Sequence, residues 1–309
     1  MTVIPPSEVD FIHRAAKYLE NPSFMVRIAD LVGVPLEGLL DLVPPRTSQA
    51  VSIALRRGLD LAVLTLPKQS AMRSESFPEM QERVWWTGYR HTAATAFTGG
   101  TAGMFGTIAL CFELPITTCI MLRSMTAIAR EYGEDTHAID VRLECLSLFG
   151  IGGPSVHDDR VDASYLGVRA AMNSLVKHAA KYIAHTPAQE VVTSIKNGTA
   201  PALVKLLGKI SQQFELRVSE KLMAQAVPLV GAVGGATVNV LFTEHFNAVA
   251  RYHFGIRHLE TRWGKATVGA LYQEAAERCR GPEHRTPSRT PDFGYRGDDQ
   301  FAQQTGKPR

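Results

Sequence analysis

The sequence has few cysteines and little excess charge of either sign, and both scarcities limit the classes of protein to which it can belong. Four cysteines, Cys111, Cys119, Cys145 and Cys279, occur in 309 residues, and no two of them form a CxxC pair. Disulfide frameworks and zinc sites need closer and more regular spacing, so we expect free thiols and a reducing, cytosolic compartment. The net charge of +3, with Lys and Arg interleaved with acids, argues against a nucleic-acid-binding protein.

The sequence also lacks the short motifs of the common enzyme classes. There is no GxSxG, no P-loop, no GxGxxG after a strand and no DxDxDG calcium loop. The N-terminal residues show no basic stretch followed by an apolar run, so we expect no secretory signal. We therefore predict neither a cofactor nor a metal, and we favour a non-enzymatic protein over an enzyme.

Helical periodicity runs through almost the whole chain, and alternating strand patterns are missing. The pattern predicts an all-α fold, a multi-helix bundle with two glycine-rich apolar helical hairpins. It covers residues 1–280. Residues 281–309 are rich in Pro, Gly, Arg and Asp and poor in aliphatic residues. Such a segment cannot bury enough apolar area to offset its chain entropy, so we predict a disordered C-terminal tail.

Two apolar stretches without charged residues stand out, one between Arg90 and Glu113 and one between Lys221 and Glu244, each of about 22 residues. A bilayer-spanning helix needs about 20 apolar residues. Glu113 and Pro115 count against a full span, so insertion part-way into a membrane and burial in a soluble core stay open. The glycines predicted to allow close helix packing or membrane insertion are Gly99, Gly100, Gly103, Gly106, Gly231, Gly234 and Gly235.

The two stretches align without gaps at a shift of 131 residues. This shift pairs Glu113 with Glu244 and Gly133 with Gly264, among a few other identities. An internal duplication would predict two similar helical hairpins packed against each other. Chance identity is the competing explanation.

Polar residues near these stretches are the candidates for function. An acid buried without a partner would have a raised pKa and could act as an acid or base, whereas a paired acid would be structural. The histidines that follow Glu244 do not have the HExxH spacing of a one-helix zinc site. Their helix could instead carry i,i+3 ion pairs or meet lipid headgroups. The candidate residues are Glu113, Arg123, Glu244, His245, His253, Arg257 and His258.

Long and unusual sequence blocks resemble the EcsC protein family of bacteria. They include ELPITTCIMLRS, VRLECLSLFGIGG, SYLGVRAAM and VPLVGAVGGATVNVLFTEHFNAVARYHF, in the order of that family, from about residue 20 to residue 275. The family takes its name from a gene beside an ABC transporter. The resemblance implies a bacterial, membrane-related role. It implies no reaction, so no catalytic residue is carried over.

Together these observations predict a non-enzymatic accessory protein at the inner face of the cytoplasmic membrane, linked to an ABC transporter or to envelope homeostasis. The expected partners are membrane lipid or a membrane-protein complex, with a homo-oligomer as a further option. One alternative is a soluble helical hydrolase that uses Glu113 together with His245, His253 and His258. A second alternative is a soluble scaffold that binds another protein.

Overall fold

The computed structural model describes residues 3–20, 47–66, 69, 76–102, 106–151, 164–226 and 235–279, and all statements on structure refer to them. These residues contain ten α-helices and no strand, so the predicted all-α bundle is confirmed. The helices are α1 (Pro6–Leu19), α2 (Thr47–Asp60), α3 (Phe77–Ala102), α4 (Gly106–Glu131), α5 (Ile139–Ser147), α6 (Tyr165–Ala184), α7 (Ala188–Asn197), α8 (Pro201–Ala226), α9 (Gly235–Trp263) and α10 (Lys265–Cys279). A π-helical turn, Leu61–Thr65, continues α2, and a 3₁₀ turn, Leu148–Gly150, continues α5.

Helix α9 lies at the centre of the bundle. It packs against α3 and α4 on one side and against α1, α8 and α10 on others. Its apolar residues recur at helical spacing, and Phe242, Phe246, Val249 and Phe254 are all buried. Because aromatic residues bury large areas, this stripe accounts for the central position of α9.

Helices α3 and α4 form an antiparallel pair. Arg83 near the start of α3 is 3.0 Å from Glu131 at the end of α4. Helices α8 and α9 are also antiparallel, since Phe214 packs against Phe246, whereas Lys221, later in α8, lies over Phe242, earlier in α9. Each pair therefore has the arrangement of a helical hairpin, although residues 103–105 and 227–234, which join the helices, lie outside the described residues.

Helices α4 and α9, which are aligned by the shift of 131 residues, end in the same way. Gly133 follows α4 with φ of 89°, and Gly264 follows α9 with φ of 87°. Glycine adopts this left-handed conformation without the steric cost that a Cβ would bring, so it terminates helices well. These glycines are partners in the alignment at a shift of 131 residues, and the matched helix ends are what a duplication predicts.

All described residues belong to one compact unit, Met1–Cys279. The predicted tail, residues 281–309, lies outside the described residues. Among the helices described here, none is long and apolar enough to cross a membrane. Of the predicted glycines, Gly99 and Gly100 lie in α3, Gly106 begins α4 and Gly235 begins α9, whereas Gly103, Gly231 and Gly234 are not described.

Candidate functional site

An exposed aromatic cluster on α3 is the most unusual surface feature of the described residues. Trp85, Trp86 and Tyr89 are 49%, 52% and 55% exposed. The Trp85 and Tyr89 rings stack with centroids 5.6 Å apart, and Trp86 lies edge-on to both. Large aromatic side chains usually bury most of their area in a core. A cluster of three such residues that faces solvent is therefore the candidate functional surface of the described residues.

The register of α3 explains why these rings point outward. Val84 and Thr92 are buried, and Gly88 faces Asn247 of α9. The Asn247 side-chain amide donates to the carbonyl of Gly88 at 3.3 Å and to the Thr92 hydroxyl at 3.0 Å. This polar contact fixes the inner face of α3 at residues 84, 88 and 92. The aromatic residues between those positions must then lie on the outer face.

Basic residues follow the aromatic cluster along the same hairpin. Burial lowers the pKa of His91, and the positive charges of Arg90 on α3 and Arg123 on α4 lower it further. Both arginines are exposed, and neither has a carboxylate partner among the described residues. Glu82, also exposed, is the acidic residue closest in sequence to the cluster. The surface thus joins aromatic rings to unpaired positive charge.

A groove between α2 and α4 extends this surface. It has a volume of about 390 Å³ and is lined by Arg57, Pro115, Ile116, Cys119, Ile120 and Arg123. Ile116 is 53% exposed, so the apolar lining of the groove reaches solvent. Burial raises the pKa of the Cys119 thiol, while Arg123 and Arg57 act in the opposite direction and Asp60 adds to the rise. The thiol of the groove is therefore subject to the charges of both arginines and of Asp60.

Glu113, the lone acid of the first apolar stretch, forms a buried ion pair with Lys221 of α8. The Lys221 ammonium is 2.8 Å from a Glu113 carboxylate oxygen and 5.3 Å from the centroid of the Phe242 ring. Burial lowers the pKa of Lys221, and the charge of Glu113 opposes that shift. The pair joins α4 to α8, which is a structural role for both residues.

His253 lies at the centre of a second buried cluster. Its Nε2 is 2.9 Å from Glu144 of α5, and its Nδ1 is 3.0 Å from the hydroxyl of Tyr165 on α6. A carboxylate only accepts hydrogen bonds, so Nε2 carries the proton and Nδ1 accepts from the tyrosine. Burial, followed by the positive charge of Arg169, lowers the pKa of His253 well below its ordinary value.

Charged residues surround this cluster in pairs. Arg257 contacts Glu144 and also lies 2.8 Å from Glu134. Arg169 binds Glu260 through two bonds of 2.8 and 2.7 Å. The i,i+3 pairs that the sequence left open for this helix are not what these residues form, because Arg257 binds Glu134 and Glu144 and Glu260 binds Arg169. Tertiary packing rather than helical spacing decides their partners.

The remaining candidates contact residues outside the candidate set. The hydroxyl of Tyr18 is 3.1 Å from His245 Nδ1. His258 donates from Nδ1 to the carbonyl of Tyr132 at 3.0 Å. Glu244 pairs with Arg251. His245 thus has a partner on α1, His258 has a partner just after α4, and Glu244 has a partner within α9.

No contact among the described residues brings Glu113 together with His245, His253 or His258. Nor do the described residues contain a group of three or more His, Cys, Asp or Glu that could hold a metal ion. The residues of the site that were not predicted from the sequence are Trp85, Trp86, Tyr89, Glu144 and Tyr165. The adjacent tryptophans followed by tyrosine at helical spacing were the available signal for the aromatic cluster.

The chain belongs to the EcsC protein family, whose family model matches residues 11–259. The matched range begins in α1 and ends in α9, so it contains the aromatic cluster, the groove and both buried clusters. The match of the family model confirms the predicted family. The chain matches no curated protein and no solved structure.

Proposed function

We propose that this protein is a non-enzymatic accessory protein that binds the inner face of the bacterial cytoplasmic membrane through the α3–α4 hairpin. The exposed cluster of Trp85, Trp86 and Tyr89 carries the proposal. Tryptophan and tyrosine are enriched at membrane–water interfaces because each has an apolar body and a polar group. Arg90 and Arg123 beside the cluster would meet anionic headgroups. The aromatic residues would lie at the depth of the headgroups.

A role beside a membrane transporter or in envelope homeostasis is consistent with this location. Membership of the EcsC family supports it, since the family name comes from a gene next to an ABC transporter. The partner in this account is membrane lipid, alone or together with a membrane-protein complex. The hydrolase alternative has less support, because the acid and the histidines that it requires contact different partners.

Flotation with lipid vesicles tests the proposal. The wild-type protein should float with vesicles, and the fraction that floats should survive high salt, because apolar burial of aromatic rings is not screened. Replacing both Trp85 and Trp86 with Gln should remove that salt-resistant fraction. Val204→Gln is the matched control, since Val204 is an exposed apolar residue of similar exposure, 46%, on α8.

The proposal fails if the purified, folded protein does not float with vesicles of any composition. It also fails if the tryptophan variant floats as well as the Val204→Gln control. Circular dichroism of each variant verifies that the helices remain intact. Because the three substituted residues are exposed, we expect stability changes within about 0.5 kcal/mol.

A further inference from the structure

The groove between α2 and α4 has the chemistry of a site for one anionic amphiphile. Arg57 lies on α2, and Arg123 lies on α4, and both border the groove. Neither arginine has an ion-pair partner among the residues that the structure describes. Between them the groove is apolar, with Pro115, Ile116 and Ile120. An anionic group held by the arginines would therefore place its attached apolar chain against these side chains.

We infer that Arg57 and Arg123 bind the phosphate of an anionic phospholipid, and that an acyl chain of this lipid packs along Pro115, Ile116 and Ile120. The inference rests on the proposed function, which brings the same hairpin to the membrane. Guanidinium groups bind phosphate through paired, charge-assisted hydrogen bonds. Two positive charges against an apolar lining match a headgroup phosphate joined to a hydrocarbon chain.

Two further observations support this occupant. Arg57 and Arg123 border the same groove from α2 and α4, and both lower the pKa of the Cys119 thiol in that groove, whereas burial and the charge of Asp60 raise it. Arg123 also acts on His91, which follows Arg90 and the aromatic cluster in α3. Arg123 therefore belongs both to the groove and to the basic residues beside the aromatic cluster. A water-soluble anion would use the arginines but leave the exposed side chain of Ile116 uncovered.

Lipid selectivity tests the inference. Binding is measured to vesicles of phosphatidylcholine alone and to vesicles that also contain phosphatidylglycerol, for the wild type and for R57Q/R123Q. The wild type should prefer phosphatidylglycerol vesicles, and the double variant should lose about tenfold or more of this preference. Binding to phosphatidylcholine should stay as in the wild type, because the aromatic cluster is intact. K177Q/K181Q on α6 removes the same charge at two exposed lysines and should change the preference by less than about twofold.

Alkylation of Cys119 provides a readout at the groove itself. Cys119 is partly buried, and Cys279 is an exposed reference thiol. Phosphatidylglycerol vesicles should slow alkylation of Cys119 relative to Cys279, measured by peptide mass spectrometry. The ratio of rates with and without vesicles is compared within each variant, and R57Q/R123Q should abolish the protection. Inorganic phosphate alone should give no protection, since it lacks the chain that covers the groove.

The outcomes separate this inference from the proposed function. Wild-type protein that binds both vesicle types equally, or an R57Q/R123Q variant that retains the full preference, overturns the lipid site and leaves membrane binding intact. Equal losses in R57Q/R123Q and K177Q/K181Q also overturn it, because diffuse attraction then explains the preference. Protection of Cys119 by inorganic phosphate would assign the arginines to a soluble anion. Failure to bind any vesicle overturns both proposals.

Discussion

At the scale of single residues, His253 connects three helices through hydrogen bonds that require a neutral ring. Its protonated Nε2 donates to Glu144 of α5, and its Nδ1 accepts from Tyr165 of α6. Glu144 is also bound by Arg257, so its negative charge is already shared. A proton added at Nδ1 would remove the acceptor for the tyrosine and place a further charge in a buried site.

We predict that His253 makes stability fall as the pH decreases below about 6.5, the ordinary pKa of histidine. The folded state holds the pKa of His253 well below this value, so the unfolded chain takes up the proton first. Because the unfolded state binds more protons in this range, the free energy of unfolding rises with pH. The loss begins near 6.5 and continues down to the depressed folded pKa.

Denaturant unfolding of the wild type and of His253→Gln at several pH values tests this prediction. Glutamine does not titrate, so the decline of the unfolding free energy below about pH 6.5 should be shallower in the variant, by at most about 1.4 kcal/mol per pH unit. His91, whose pKa is also lowered, is present in both proteins and its effect cancels. Parallel profiles for the two proteins would contradict the account of His253.

The Glu113–Lys221 pair is a second residue-scale feature with a measurable consequence. Both side chains are almost fully buried, with the ammonium 2.8 Å from the carboxylate. Lys221→Met leaves the Glu113 charge buried without a partner and should lower the free energy of unfolding by about 3–5 kcal/mol. Glu113→Gln combined with Lys221→Met removes both charges and should recover much of that loss.

Arg278→Met serves as the control for this pair. Arg278 pairs with Glu274 on the surface of α10, with side chains 60% and 57% exposed. Exposed ion pairs contribute little, so the change should be below about 0.5 kcal/mol. Similar losses for Lys221→Met and Arg278→Met would show that burial does not set the strength of the Glu113 pair.

At the scale of helices, close packing occurs at glycines outside the predicted glycine-rich stretches. A Cβ on Gly255 of α9 would come within 2.3 Å of the Phe11 ring of α1. Gly150, after α5, would have its Cβ 3.1 Å from the backbone of Ile210 on α8. These two glycines therefore allow helices to approach closely, as the sequence analysis expected of other glycines.

Gly255→Ala should destabilise the protein by about 1–3 kcal/mol, because the rigid ring of Phe11 must move. The matched variant is Gly208→Ala in the interior of α8, where a Cβ would have no atom within 4 Å. Alanine favours the helix there, so stability should rise by about 0.5–1 kcal/mol. Thermal and denaturant unfolding measure both changes. A neutral Gly255→Ala would show that α1 and α9 are not tightly packed at this point.

The helical fold was predictable because each helix contains a local signal. Gly133 and Gly264 end α4 and α9, and the apolar spacing of Phe242, Phe246 and Val249 marks the inner face of α9. The ion pairs between different helices have no such signal in the local sequence. Lys221 meets Glu113 across 108 positions of the sequence, and Arg169 meets Glu260 across 91 positions. Those contacts depend on how helices pack, which local spacing does not encode.

The candidate site was only partly predictable for a related physical reason. Arg123 was singled out from its place beside the first apolar stretch, and it borders the groove. Trp85 and Trp86 were not singled out, because aromatic residues in a helix usually face the core. The contacts of Asn247 with Gly88 and Thr92 show which face of α3 is turned inward. The outward position of the tryptophans follows from this tertiary contact.

At the scale of the whole molecule, the described residues combine a buried polar framework with an exposed amphipathic surface on α3 and α4. The net charge of +3 is small, so attraction of the whole protein to anionic lipid is weak. Membrane binding in this account therefore depends on local features, the aromatic cluster of α3 and the arginines of the hairpin. The family match spans this surface, since it covers residues 11–259.

Quenching of tryptophan fluorescence by lipids with brominated acyl chains tests the central claim most directly. The chain has three tryptophans, and Trp263→Phe leaves only Trp85 and Trp86. Because bromine quenches at short range, the account predicts strong quenching when this variant binds brominated vesicles and none with inorganic phosphate or lipid-free buffer. Vesicle binding by the variant without quenching would show that another surface meets the membrane, and absence of vesicle binding would contradict the membrane role itself.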